Sequence, residues 1–205
     1  MATRDAEATK ARIFEAATEE FAAYGIAGAR VDRIAQHAQA NKQLIYAYFG
    51  DKRRLFYKVL DKTLVEVAEM VSTDITDLDR WVDEHLDYHQ KHPELLRLLM
   101  WEALEVEQEN ACRTEERAAR YGVKKQKIAD AQDQGLVRKD MPAAFMLMLF
   151  MSMASYPSAV PQVRNMVIGQ DLDAEQLRAW TKDAIKRVAA KAAEPASDSA
   201  EPALS

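Results

Sequence analysis

Cysteine, glycine and proline are scarce in this chain. Cys112 is the single cysteine among 205 residues, which rules out an internal disulfide and fits a reducing cytoplasm. Six glycines and six prolines are too few for a turn-rich β protein and favour long helices. The most apolar stretch, Ala143 to Ala154, falls short of the roughly 20 residues that span a bilayer. The opening MATRDAEATKAR is charged and has no apolar segment, so no signal peptide is expected. Enzymatic signatures are missing too: there is no Gly-rich phosphate loop, no G-x-S-x-G elbow and no Cys/His metal framework. Cys112 lies in a charged stretch with no recognisable triad. These absences argue against an enzyme and against a bound cofactor or metal.

Hydrophobic residues make up 48% of the chain, enough for a sizeable core, and the net charge is −5. That total disfavours a nucleic-acid partner, but its distribution does not. From Arg30 to Lys62 there are eight Lys and Arg against three Asp, a local +5, so the remainder carries −10. A basic segment on an acidic body suits a DNA-reading head attached to a domain that does not touch DNA.

The basic segment holds the most informative string, VDRIAQHAQANKQLIYAYFGDK, from Val31 to Lys52. Val31, Ile34, Ala35 and Ala38 fall on one helical face. A polar turn follows at Gln39, and Asn41 can cap a second short helix from Lys42 to about Ala47. In that helix Leu44, Ile45 and Tyr48 are placed inward, leaving Lys42, Gln43 and Tyr46 outward. Two short helices joined by such a turn are the pattern of a helix-turn-helix, whose second helix enters the DNA major groove. Gln can pair bidentately with adenine, Lys can donate to guanine, and Tyr46 can meet a thymine methyl or a phosphate. Asn41 and Arg30 are further phosphate candidates. Asp51 caps a long helix, about Lys52 to Asp74. Its first turn holds Lys52, Arg53 and Arg54, where a helix dipole favours anions, so a docked phosphate would satisfy both.

The run resembles the DNA-binding domain of the TetR family of bacterial transcription regulators. The resemblance rests on Phe21, Gly25, Val31, Ile34-Ala35, Ala38, Leu44, the Tyr46-x-Tyr48-Phe49 run, Lys52 and Leu55, within roughly the first 60 residues. It implies that Tyr48 and Lys52 hold the phosphate backbone. Two positions depart from the family pattern. Gln39 stands where Gly is usual, which costs about 1–2 kcal/mol if the backbone there is left-handed. Ala29-Arg30 replaces the usual Ser/Thr cap before the first helix of the motif.

The rest of the chain reads as helices. Residues 1–6 are expected to be a frayed arm, and Glu7 to Tyr24 the first helix. Its stripe is Ile13, Ala16, Ala17, Phe21 and Tyr24, and Gly25 ends it. A helix from Thr76 or Asp77 to Lys91 carries His85 and His89, with His92 at its boundary; the spacing permits a metal, but the plainer reading assigns none. PELLRLLMWEALEVE should be central to a second domain. Then come a more polar helix from Asn110 to about Gln134, a nearly continuous apolar helix closed by Pro157, a looser stretch, and a last helix from Ala174 to about Ala193. The architecture expected is all-α: a three-helix head over residues 1–50, a regulatory and dimerisation domain over 51–193, and a disordered tail over 194–205.

By the family resemblance, the protein is a repressor that binds a pseudo-palindromic double-stranded DNA operator. The same resemblance implies a homodimer joined through the last two long helices, about Pro142–Ser155 and Ala174–Ala193. It also implies a small-molecule effector between the long lever helix and the helices after it. Trp81, Tyr88, Met100, Trp101, Tyr121 and Phe145 are the expected lining residues. The aromatic excess, without basic residues paired among them, points to an apolar, uncharged or cationic ligand. Two other readings stay open: a constitutive DNA-binding dimer without effector, and an adaptor whose helix-turn-helix is only structural.

Overall fold

The computed structural model describes residues 2–107, 111, 114–169 and 173–190. Cys112 and the 194–205 tail lie outside the described residues, as does Asn110, an expected helix start. The described residues form ten helices and no strand: α1 Ala2–Gly28, α2 Val31–His37, α3 Lys42–Phe49, α4 Lys52–Met70, α5 Leu78–Lys91, α6 Glu94–Glu105, α7 Thr114–Asp133, α8 Ala143–Ala159, α9 Pro161–Ile168 and α10 Ala174–Ala189.

The capping chemistry behaves as the residue types dictate. Asn41 accepts from the Gln43 N–H at 2.8 Å and starts α3; Asp51 accepts from the Arg54 N–H at 2.8 Å and starts α4. Two expectations at the first helix are corrected. Residues 2–6 belong to α1 rather than to a frayed arm, because this Ala-rich stretch extends a long helix at little cost. Gly25 does not end the helix but kinks it, at φ 68 and ψ −172, and a last turn continues to Gly28. Tyr24, placed in the apolar stripe from its spacing, points outward, and its ring lies under the Arg33 guanidinium at 4.2 Å.

Two cores organise the molecule. The first joins Ile13, Ala17 and Phe21 of α1, Ile34 of α2, Ile45 and Phe49 of α3, and Leu55, Phe56, Val59 and Leu60 of α4. It also takes in Leu95 and Leu98 of α6, so α6 is not central to a separate second domain as its apolar circumference suggests. Instead it lies along α1, and its other faces leave Met100 and Leu104 exposed. The second core gathers Trp81 and Val82 of α5, Ile128 of α7, Met146 and Phe150 of α8, and Ile185 of α10. Ion pairs fix α10 to α5: Arg178 to Asp83 at 2.9 Å and Asp87 at 2.5 Å, and Lys182 to Asp83 at 2.6 Å.

Pro157 does not close α8 but sits in its last turn, and the looser stretch is a further helix, α9. Pro161 occupies the first turn of α9, where its missing N–H has no helical partner to lose.

Candidate functional site

The outer face of the head is built by burying the inner one. Ile45 and Phe49 are buried, and Phe49 meets Phe14 of α1 edge to face at 5.2 Å. This leaves Lys42, Gln43 and Tyr46 exposed along α3, with Asn41 at its cap. Leu44, expected inside, is on this outer face as well, 38% exposed. Tyr48 is half-buried against the first core, under the Lys10 ammonium at 5.3 Å. Lys42 already pairs with Asp32 of α2 at 2.8 Å, an exposed contact that a DNA base can displace.

The turn between α2 and α3 needs left-handed backbone. Gln39 has φ 49, the one positive value at a non-glycine among the described residues, so the departure from glycine does carry conformational strain. Arg12 of α1 steadies this turn by donating from Nε to the Ala38 carbonyl at 3.0 Å.

The missing cap of α2 is supplied from another helix. The buried Glu20 of α1 accepts from the Arg30 N–H at 2.7 Å and from Arg33 at both carboxylate oxygens, 2.6 and 3.0 Å. Burial raises the Glu20 carboxyl, but the Arg33 guanidinium and the Arg30 N–H outweigh it and hold the pKa below the ordinary value. Spacing along α2 alone could not reveal a cap that comes from ten residues upstream.

The three cations at the start of α4 also find partners inside the protein. Lys52 donates to the carbonyls of Ala27 and Ala29 at 3.1 and 3.0 Å, where the dipole of α1 ends negative. Arg54 pairs with Asp51 at 3.4 Å, and Arg53 donates to the Tyr57 hydroxyl at 3.4 Å. Only Arg54 meets a carboxylate there; Lys52 and Arg53 rest on neutral acceptors. Lys52 keeps a third N–H for a phosphate, and Arg30 is exposed beside it.

Farther along α4, Leu64, Val67 and Ala68 form one wall of a cavity of about 130 Å³. Helix α5 contributes His85 and His89, α6 contributes Leu96 and Leu99, and α8 contributes Met151 and Ser155. Arg117, Arg120, Tyr121 and Lys124 of α7 complete the lining. Of the six residues expected around a ligand, Tyr121 alone lines this cavity. Trp81 is core, stacked on His85 at 3.7 Å between ring centres; Tyr88 is core against His92 at 4.7 Å. Met100 and Phe145 are exposed, and Trp101 donates to the Ala22 carbonyl of α1 at 3.2 Å.

The cavity wall carries three basic side chains and no acidic one. Arg117 is held by Glu102 of α6 at 2.8 Å, and Arg120 lies 3.8 Å from Asp61 of α4. Burial pulls Lys124 below its ordinary pKa. Burial likewise pushes His85 to about 3 and His89 to about 4, so both rings are neutral at pH 7. His85 donates from Nδ1 to the Trp81 carbonyl at 2.7 Å.

Comparison with known proteins agrees with this geometry. Residues 13–59 match the model for bacterial regulatory proteins of the tetR family, and residues 77–187 match the tetracyclin repressor-like C-terminal domain. HTH-type transcriptional repressor SCO4008 of Streptomyces coelicolor is 47% identical over 92% of this chain and 98% of its own. The chain belongs to the TetR family. HTH-type transcriptional repressor NicS of Pseudomonas putida is a more distant relative, 26% identical over 86% of this chain and 88% of its own. The solved structure of SCO4942 from Streptomyces coelicolor superposes with a TM-score of 0.77, at 31% identity, over 87% of this chain and 97% of that one. As a TetR-family protein the chain is a DNA-binding transcription regulator, not an enzyme. No single helix among the described residues is long and apolar enough to cross a membrane.

Proposed function

We propose that this TetR-family chain represses transcription in the cytoplasm by binding a pseudo-palindromic operator as a homodimer, and that a small molecule in the α4–α8 cavity releases it. The head, residues 1–50, reads DNA; residues 51–193 dimerise and sense. The observation that carries the reading is the outer face of α3. It displays Lys42, Gln43 and Tyr46 on a helix that Ile45, Phe49 and the Asn41 cap hold rigidly in place. Gln43 and Lys42 suit adenine and guanine edges, and Leu44 and Tyr46 offer apolar contact to thymine methyls. Arg30, Asn41, Tyr48 and Lys52 surround this face and suit the phosphates on either side.

Dimerisation through α8 and α10 is favoured by what those helices leave uncovered. Phe145 and Tyr156 of α8 and Trp180 of α10 are each about half exposed, while the opposite faces enter the second core. A two-fold pair of heads fits half-sites about 34–36 Å apart. Release follows if the ligand-bound state holds the heads at another spacing, and operator and ligand then weaken each other by the same factor.

Selecting duplexes from a random DNA pool tests the reading. An enriched inverted repeat, with half-sites one helical turn apart or a multiple of it, is expected. Binding without sequence preference would refute it.

A further inference from the structure

We propose that the α4–α8 cavity receives the acidic headgroup of a singly charged amphipathic anion, with Lys124 as its counter-charge and His89 as its hydrogen-bond partner. The inference rests on the reading that this domain takes a small-molecule effector, and it assigns that effector's charge and shape.

Charge balance on the cavity wall gives the sign. Arg117 is matched by Glu102 and Arg120 faces Asp61, whereas Lys124 has no carboxylate partner among the described residues. An ammonium drawn out of water without a counter-ion is unfavourable, and an entering anion removes that penalty. A cationic ligand would meet Lys124 and find no carboxylate lining the cavity.

His89 supplies the second observation. It is 7% exposed, and its Nδ1 is buried without a hydrogen-bond partner. Buried polar nitrogens are seldom left so. As a donor, this nitrogen suits an oxygen of a carboxylate or similar acid. Because burial keeps both imidazoles neutral, the cavity offers one unmatched positive charge, which fits a monoanion better than a dianion.

The shape points to an apolar body. About 130 Å³ holds a headgroup and a few carbons, taking about 30 Å³ as the volume of one water. Tyr121, Met151 and Ser155 also line a neighbouring hollow of about 620 Å³ between α7 and α8, whose other walls include Leu147 and Met148. The tail would lie there. The occupant would also touch Leu64 and Val67, on the helix that carries Leu55 and Phe56 in the core of the head.

Calorimetric titration of the full-length protein with decanoate, decanol and decyltrimethylammonium separates charge from chain. Decanoate is expected to bind roughly tenfold or more tightly than either analogue. Lys124→Met should abolish that preference while leaving decanol affinity unchanged, and Lys124→Arg should retain it. Unchanged apparent Tm in the ligand-free variants checks that both fold. Equal or tighter binding of decyltrimethylammonium, a carboxylate preference that survives Lys124→Met, or no binding by any of the three would overturn the proposal. Operator affinity measured on the same samples keeps the two readings apart. Decanoate bound through Lys124 without DNA release refutes the effector reading and leaves this site standing. Release by the ammonium compound alone does the reverse.

Discussion

At the scale of single residues, Glu20 of α1 does for α2 what that helix's own residues cannot. Glu20 replaces the absent cap of α2 and ties it to α1 through Arg33. Glu20→Gln is expected to destabilise the fold by about 2–3 kcal/mol, since hydrogen bonds to a charged group are lost. The folded-state pKa of Glu20 lies below its ordinary 4.5, so its contribution is complete above that value and is lost as pH falls through the folded one. Urea unfolding of both proteins at pH 7 and at successively lower pH should therefore show the gap narrowing only in acid; a gap independent of pH would contradict the assignment. Gln39 is the opposite case, a side chain where the backbone favours none. Gln39→Gly should stabilise by about 0.5–1 kcal/mol, the left-handed strain relieved less the added freedom of the unfolded chain. A lowered urea midpoint would show that the Gln39 side chain contributes more than its backbone costs.

At the scale of elements, α4 and α6 connect the two halves differently. Helix α4 runs unbroken from the head core to the cavity wall, about 28 Å for its 19 residues, and is the expected lever. Helix α6 clasps the kinked end of α1, a contact that α6's own sequence does not announce. Glu105 accepts from the Ala27 N–H at 2.8 Å, and Arg97 and Trp101 donate to the Ala22 carbonyl at 2.6 and 3.2 Å. Gly25 makes the clasp possible. Its backbone angles are nearly exclusive to glycine, and a Cβ there would strike Glu105 and lie 2.7 Å from the Trp101 ring. Gly25→Ala is expected to cost at least about 2 kcal/mol, read as a fall in the urea midpoint; a neutral result would mean the clasp yields easily. These elements also mark what was legible from sequence. The helices α2 and α3 were, because apolar spacing and the Asn41 and Asp51 caps are local signals. The clasp, the Glu20 cap and the place of α6 were not, because each depends on side chains brought together from ten to about eighty residues away. The stretch that forms α9 looks loose in sequence because its flanking prolines resemble breakers, yet Pro161 stands in a first turn.

At the scale of the whole molecule, the sign of the charge changes along the path from DNA to cavity. The head is basic on a chain of net −5, and the interior cavity is again basic within the acidic remainder. Sequence composition revealed the first, since its residues are contiguous. It hid the second, because Arg117, Arg120 and Lys124 belong to a polar helix whose buried face becomes evident only once α8 packs against it and α4, α5 and α6 close the cavity. The aromatic residues that suggested an apolar pocket fill the two cores or the α1–α6 contact instead, apart from Tyr121 at the cavity and the exposed Phe145. The central claim remains that α3 reads base edges while the surrounding cations hold phosphate. Comparing duplexes selected by the wild type and by Gln43→Ala tests it most directly. One or two base positions, placed symmetrically in both half-sites, are expected to lose about 1–3 kcal/mol of discrimination while the rest of the operator is unchanged. An operator preference identical to that of the wild type would contradict it.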